Sequence, residues 1–380
     1  MSAAEWLFAG SLLALLYIYL GYPAILMILA KWMPAPVRKG EYMPTVSILI
    51  AAYNEATCIG KTIENKLALD YPRERIEIIV ISDGSDDGTD DIVRRYAARG
   101  VELIRQEPRA GKTSALNLAI PRTRGEIIVF SDANSLYEAD AILKLLANFK
   151  DPAVGYVTGK MIYVNPDGSV TGDGCSAYMR YENRLRSLET AVGSVVGVDG
   201  GIDAVRKALY RPMRADQLPD FVLPLAVVDQ GCRVVYEPGA VLRETALAEA
   251  SDEYRMRVRV SLRAFWALKD MRHLLSFRRN PLYAWQLWSH KVLRYLSFVF
   301  LACAYIGNAL LVPEAFFYAV LFAMQTLGYA ACLAAPCLSK AGFRFVHMVH
   351  YFVLINVAAL HAFLKFVLGQ KQVVWTPRKG

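Results

Sequence analysis

The sequence predicts an α/β protein: a Rossmann-like domain with a mixed, mostly parallel sheet, joined to one N-terminal and two or three C-terminal transmembrane helices. Three observations predict it. An uncharged apolar run, Trp6 to Ala30, lies near the start of the chain, and three more follow residue 290. From Thr45 onward, unbroken apolar runs alternate with helical stretches, the pattern of strands covered on both faces by crossover helices. Three of those four apolar runs stop on polar residues, at the strand ends where open α/β sheets bind ligands.

With 55% hydrophobic residues and a positive mean hydropathy, the chain is too apolar for two soluble domains. At 1.5 Å per residue, Trp6–Ala30 can cross about 30 Å of hydrocarbon. Glu5 precedes this run and Lys31, Arg38 and Lys39 follow it, a pattern of a retained anchor whose C-terminal end is cytoplasmic. The expected layout is an anchor and linker at 1–40, a cytosolic domain at 41–250, an interfacial amphipathic region at 251–290 and a membrane region at 291–380. That describes a multi-pass protein of the inner (cytoplasmic) membrane, with the lipid bilayer as a partner.

The C-terminal apolar runs are Leu293–Val312, Ala315–Cys337 and Phe345–Leu368. The last carries His347, His350, Asn356, His361 and Lys365, which are costly in lipid. Three full crossings would also put the tail on the side opposite the domain. This run is therefore expected to lie partly in the interface or to re-enter. The formal charge of +8 is accounted for by juxtamembrane cations such as Arg272, Arg278, Arg279, Lys291 and Arg294, so no nucleic-acid partner is implied. The six cysteines form no Cys-x-x-Cys pair and are expected as reduced thiols.

Within the soluble part, "VSILIAAYN", "IEIIVISD" (76–83), "VELIR" (101–105) and "EIIVFSD" (126–132) predict strands. Helices are expected near 59–69, 89–98, 113–119 and 138–149. Further on, "SDEYRMRVRVSLRAFWALKDMRHLL" predicts an interfacial amphipathic helix that puts Arg255, Arg259 and Arg263 on one face, toward lipid headgroups or a nucleotide diphosphate.

Several segments carry chemistry. "ISDGSDDGTDDIV" ends a strand on Asp83, a carboxylate able to accept from the imide N–H of a pyrimidine; capping alone does not call for so many acidic neighbours. "RAGKTSALN" is no phosphate-binding Walker loop, because Gln106 stands where its first glycine belongs, yet Lys112 can reach a diphosphate as a point charge. Asp132 and Asn134 alternate along an extended chain and so point to one side, a pair suited to a hard divalent cation bound jointly with substrate phosphates. In "DQLPDF", Asp220 lies between a proline and an apolar run, where a raised pKa suits a general base, and Asp216 is a second candidate.

In this order, the segments resemble the membrane-bound family 2 glycosyltransferases, the group of cellulose, chitin, hyaluronan and poly-N-acetylglucosamine synthases, whose catalytic domain has the GT-A fold. "AAYNE" is similar to the opening nucleotide-binding strand, implying that role for Ala52, Tyr53, Asn54 and Glu55. "SDGSDDGT" is similar to the acidic uracil-binding segment and implies it for Asp83. "SDANS" stands in place of the Asp-x-Asp motif, implying diphosphate and metal binding by Asp132 and metal binding by Asn134, with Mg2+ or Mn2+ as cofactor. Asp220 stands where the family keeps its catalytic base. "GVDGG" resembles the acceptor-side loop, implying that Asp199, Gly200 and Gly201 face the acceptor. "WTPRKG" is similar to a gating segment, implying that role for Trp375, Thr376 and Arg378. The processive members carry Gln-x-x-Arg-Trp after the base; here Met256, Arg259 and Val260 occupy those places, so only the arginine is kept.

The implied activity is inverting, metal-dependent transfer from a UDP-sugar to a growing polysaccharide or oligosaccharide at the cytoplasmic membrane face, with Lys112 and Arg259 near the diphosphate and with possible polysaccharide export components as partners. Single transfer to a polyprenyl-phosphate or glycolipid acceptor is the alternative, and a non-catalytic nucleotide-sensing or scaffold subunit of a polysaccharide secretion complex is the rival from another class. A Rossmann dehydrogenase is excluded, because no G-x-G-x-x-G follows the first strand.

Overall fold

The computed structural model describes residues 2–164, 174–245, 250–334 and 344–373. Its centre is one eight-stranded sheet in the order β3-β2-β1-β4-β7-β6-β8-β5. β1 (Val46–Ala52), β2 (Ile76–Ser82), β3 (Val101–Arg105) and β4 (Ile127–Asp132) are the four expected strands, and their mutual pairings are parallel. The Ile- and Val-rich runs of β1, β2 and β4 are buried on both faces, as parallel strands between helical layers require, while β3 at the sheet edge exposes Glu102 and Arg105. β1 has β2 on one side and β4 on the other, so the chain changes winding direction there. The crevice at their carboxyl ends is the expected ligand position.

The second half of the sheet is mixed. β5 (Leu136–Tyr137), β6 (Val154–Val164), β7 (Ile202–Arg206) and β8 (Arg233–Thr245) add antiparallel pairings between β4 and β7, β6 and β7, and β5 and β8, with β6 and β8 parallel. α3 (Ile59–Leu67), α4 (Thr89–Arg94) and α6 (Ala141–Ala147) cover the face where Ile48, Ile50, Val80 and Val129 pack. α5 (Lys112–Ala119), α8 (Pro219–Asp229) and α9 (Ala250–Asp270) share the opposite core with Leu49, Ile79, Phe130 and Tyr156. The strand-like alternation in the first half of "SDEYRMRVRVSLRAFWALKD" does not produce a strand: α9 is helical throughout.

The membrane-proximal layer begins with α1 (Ala3–Leu16), which runs through a π-helical turn into α2 (Tyr22–Trp32). α7 (Gly174–Val192) packs on α2 through Leu185, Leu188 and Val192. α10 (Pro281–Leu287), a second π-helical stretch (Trp288–Val292) and α11 (Leu293–Tyr295) lead into α12 (Ser297–Leu311), α13 (Phe316–Ala334) and α14 (Arg344–Val367). Ala3–Trp32 and Val346–Val367 are long and apolar enough to cross a membrane, and Pro281–Leu311 would be a third such segment with a 58° bend.

α14 nevertheless runs along α9, with Tyr351 donating to Glu253 at 2.9 Å, Tyr254 meeting His361 at 3.0 Å and Phe366 edge-on to Trp266. The chain then passes between α9 and α5: Arg263 donates to the carbonyls of Gln372 (2.9 Å) and Val373 (2.6 Å), and Trp266 donates to Gln370. The tail therefore leaves on the side of the sheet domain. This removes the conflict that three complete crossings would create.

Candidate functional site

Four carboxyl-end loops of the sheet converge with the N-termini of α5 and α8. The first is the turn after β1. Asn54 has a left-handed backbone (φ 55°), and its amide side chain is paired with Asp86 in both directions: Nδ2 donates to the carboxylate and Oδ1 accepts from the backbone N–H. Asn54 N–H also donates to Ser85, Glu55 N–H to Thr89 and Ala56 N–H to Asp87. The acidic neighbours of Asp83 thus do have backbone work, contrary to the sequence expectation: they tie Tyr53–Ala56 to the start of α4. Tyr53 is left presenting its ring to Arg109, whose guanidinium stacks 3.4 Å from the ring centroid.

Asp83 is buried where it follows β2. Its Oδ1 accepts from Gln106 Nε2, Ala110 N–H (2.8 Å) and Gly111 N–H (3.1 Å), and its Oδ2 lies 3.0 Å from Gly111 N and 3.5 Å from Arg109 Nε. Asp83 both shapes the 106–111 loop and lies beside Arg109, which stacks on the Tyr53 ring. Sequence reasoning missed Arg109 and assigned no role to Gln106, although both lie in the stretch inspected for a phosphate loop.

Gly111 (φ +92°) turns that loop into α5 and delivers Lys112 to the crevice. Lys112 Nζ stands 2.7 Å from Asp132 Oδ1 and 3.8 Å from Asp220 Oδ1. Burial alone would lower its pKa; Asp132 and Asp220 outweigh that and hold it above the ordinary lysine value. A loop without the Walker glycines still brings its lysine to the carboxylates.

Asp132 ends β4, but the chain does not stay extended as the alternation argument assumed. Ala133 and Asn134 form a turn closed by Ser135 N–H on Asp132 O. α3 holds that turn from behind: Thr62 donates to Ala133 O, buried Lys66 donates to Ser135 O at 2.6 Å, and Asn65 pairs with the backbone of Tyr137. Asn134 is thereby aimed at Glu244, to which its amide donates at 3.3 Å. Among the described residues no cluster of three or more His, Cys, Asp or Glu side chains could hold a metal unaided. A divalent cation that takes one protein carboxylate and completes its shell from water and substrate phosphate still fits Asp132, whose side chain is 38% exposed and accepts from Lys112 on Oδ1.

Asp220 sits in the first turn of α8, just after Pro219. Burial raises its pKa and Lys112 opposes the rise. Asp216 behaves oppositely. Although burial works against it, its ion pairs with Lys371 and Arg214 leave its pKa below the usual carboxylate range. The two candidates for a base are thus separated by their surroundings, and Asp220 is the better proton acceptor.

The "GVDGG" loop wraps the Asp220 carboxylate. Gly200 has φ +87°, and a Cβ added to it would overlap the Asp220 carboxyl group. Gly201 packs beside Leu242, Met161 and Ser135. Asp199 turns away from the cleft into a bidentate pair with Arg186 of α7, so its carboxylate holds the loop in place. Beneath them on β7, Asp203 is fully buried. Neither of its carboxylate oxygens has a hydrogen-bond partner among the described residues, and burial with the nearby Asp220 pushes its pKa up to about 7. No local pattern marks Asp203, because its neighbours come from other strands and from α8.

On α9, Arg255 is exposed and Arg259 half-buried, while Arg263 is buried and committed to the tail carbonyls. The charges of Arg263 and Arg259 both favour ionisation of Asp220, so this side of α9 serves the cleft. Ala52 is the last residue of β1 and is buried. Trp375, Thr376 and Arg378 lie outside the described residues.

Comparison with known proteins agrees with this geometry. Residues 47–202 match the glycosyl transferase family 2 profile. A beta-monoglucosyldiacylglycerol synthase of Trichormus variabilis is 32% identical over 169 residues, covering 43% of this chain and 36% of that protein. A poly-beta-1,6-N-acetyl-D-glucosamine synthase of Staphylococcus aureus is 28% identical over 273 residues, covering 66% of this chain and 64% of its own length. The chain thus spans from about a third to under two thirds of these curated relatives. A mannosyltransferase from Pyrobaculum calidifontis, solved with GDP-Man and Mn2+, superposes with a TM-score of 0.74 at 22% identity, over 96% of this chain and 99% of the other, which establishes a shared fold. With the strand order, the crevice at the β1–β4 switch and the profile match in agreement, the chain carries a glycosyltransferase family 2 domain with a GT-A fold.

Proposed function

We propose that the protein is an inverting glycosyltransferase that moves one sugar from a UDP-sugar to a hydroxyl of a membrane-borne acceptor, with Asp220 as general base. The observation that carries this reading is the placement of Asp220: half-buried, raised in pKa, wrapped by Gly200 and 3.8 Å from the lysine that also holds Asp132. Uracil would take the place of the Arg109 guanidinium against the Tyr53 ring, its imide N–H directed at the Asp83 carboxylate. The diphosphate lies toward Lys112 and Asp132. Mg2+ or Mn2+ would be held by Asp132 and the diphosphate oxygens, with Asn134 at its edge, and would neutralise the charge that develops on UDP.

The reaction is a single displacement. The acceptor oxygen attacks the anomeric carbon, its proton passes to an Asp220 carboxylate oxygen, and the bond from the anomeric carbon to the diphosphate breaks, leaving its electron pair on UDP. General-base assistance of this kind is worth about 10² to 10⁴ in rate. Gly200 leaves room for the carboxylate, and the Arg186–Asp199 pair fixes the loop that carries it. Absence of glutamine and tryptophan from the Met256–Val260 stretch weighs against processive synthesis.

Purified protein supplied with a panel of UDP-sugars and membrane lipid extract should release UDP with one donor only, and chelation of divalent cations should stop it. Failure of every UDP-sugar to bind or turn over, with or without acceptor, would instead leave the scaffold reading.

A further inference from the structure

A cavity of about 300 Å³ lies where the sheet domain meets the apolar helices, walled by the π-turn after α1, by α7, by the Trp288–Tyr295 stretch and by α14. Its lining is mainly aromatic, with Tyr19, Tyr178, Tyr181, Tyr295, Tyr351 and Phe352 contributing rings. Such a wall is apolar across the ring faces and polar only at the hydroxyl tips. Most of its charged groups are spent on one another. Glu182 pairs with Arg294 and with His290 (3.2 Å), and His290 pairs with Glu189 at 2.6 Å. Arg294 is also surrounded by the rings of Tyr19, Tyr178 and Tyr181, 5.3 to 5.8 Å away.

Lys291 is different. Among the described residues it has no hydrogen-bond or salt-bridge partner, and its Nζ lies 5.7 Å from the centroid of the Phe221 ring. A Cβ on Gly197 would overlap that nitrogen. Phe221 follows Asp220, and Gly197 opens the loop whose Gly200 lies against Asp220, so Lys291 stands between the cavity and the segments that hold Asp220. Outward, the cavity reaches Met348 and Ile355 on α14. Met348, Val357, Leu360 and Leu364 of that helix are exposed apolar residues, as is Leu20 beside Tyr19. The cavity thus lies between an exposed apolar surface and Lys291, a cation without a hydrogen-bond or salt-bridge partner among the described residues that sits against the loop beside Asp220.

We propose that this cavity is the acceptor site and that the acceptor is a membrane lipid with an anionic phosphodiester and a hydroxylated polar head. The phosphate would rest on Lys291, a head hydroxyl would reach Asp220, and the first carbons of the chains would lie against the tyrosine rings. A hydroxyl nucleophile is required because Asp220 is there to accept its proton. This inference rests on the glycosyl-transfer reading, and it selects the lipid acceptor over a growing polysaccharide.

The test is photocrosslinking with a diazirine-bearing phosphatidylglycerol in nanodiscs, without donor, followed by peptide mapping. Labelling is expected to concentrate on 348–359 and 178–182 and to fall at least fivefold in Ile355→Trp, which fills the cavity, and in Lys291→Met. Labelling spread over all apolar helices and unchanged by both substitutions would overturn the proposal. Kinetics separate the two readings. If Lys291→Met raises KM for phosphatidylglycerol at least tenfold but not KM for diacylglycerol, the phosphate contact stands. If a soluble oligosaccharide is glycosylated equally well by the wild type and both variants, the cavity is not the acceptor site although glycosyl transfer is upheld. Focused labelling without UDP release from any donor would retain the lipid site and refute the transfer reading.

Discussion

The carboxyl group of Asp220 lies directly against Gly200, at the position a Cβ would fill, and Gly200 has a backbone φ of +87°. Two separate constraints therefore demand glycine. A side chain would meet the carboxylate, and the left-handed backbone would add a strain of about 1 to 3 kcal/mol. Gly200→Ala is expected to leave UDP affinity within about threefold and to lower kcat by about 10² or more, the general-base contribution. Calorimetric titration with UDP beside steady-state kinetics checks the split; normal kcat would show that the loop does not set the position of the base.

Burial raises the Asp220 pKa, with Lys112 acting in the opposite direction. The base must be ionised to work, so the acid limb of kcat/KM should fall at a pH above that of an ordinary aspartate, with activity lost as pH drops through it. An acid limb at the value of an unperturbed carboxylate would assign the proton transfer to another group.

Asp203 gives a pH dependence of stability that is separable from catalysis. Its pKa is raised to about 7 from the ordinary aspartate value, so between those two values the folded state holds a proton that the unfolded state has released. The sign follows: its stabilising contribution is full below the unfolded pKa, shrinks as pH rises, and is gone once pH passes about 7. Thermal melts of wild type against Asp203→Asn from pH 5 to 8 should show a downward slope that the substitution flattens.

Asn134 donates to Glu244 from a turn that α3 holds in place. Asn134→Asp would remove that donor and set two carboxylates together, so the metal-free protein should melt several degrees lower. It should bind Mn2+ more tightly than wild type, and Mn2+ should restore the lost melting temperature. Differential scanning fluorimetry with and without Mn2+ reads both effects. Equal Mn2+ stabilisation in the two proteins would place Asn134 away from the cation.

These cases also show which parts were legible in sequence. β1, β2 and β4 were, because strands covered on both faces must be continuously apolar, and β3 at the sheet edge was legible from Val101, Leu103 and Ile104 although Glu102 interrupts them. β6 and β8 were not: Gly155, Gly159 and Lys160 interrupt the first, Pro238 and Gly239 the second, and both belong to the mixed half of the sheet. Asp83, Asp132 and Asp220 were found because each stands where an apolar run meets a polar segment. Arg109, Asp203 and the cavity around Lys291 depend on contacts between distant segments. Asn134 was placed on an extended strand because nothing local reveals that Thr62 and Lys66 fold the chain into a turn there. Asp199 was assigned to the acceptor by its position in the loop, whereas its direction was fixed by Arg186, 13 residues earlier on α7.

The central claim is that Asp220 takes the acceptor proton while the nucleotide is held elsewhere. The most direct measurement compares UDP-sugar binding and single-turnover transfer in Asp220→Asn, with Asp216→Asn as the neighbouring control. The account predicts that Asp220→Asn binds UDP-sugar as wild type does and transfers at least about 10²-fold more slowly, while Asp216→Asn retains transfer within a few-fold. Near-normal transfer by Asp220→Asn, or its loss in Asp216→Asn alone, would contradict it.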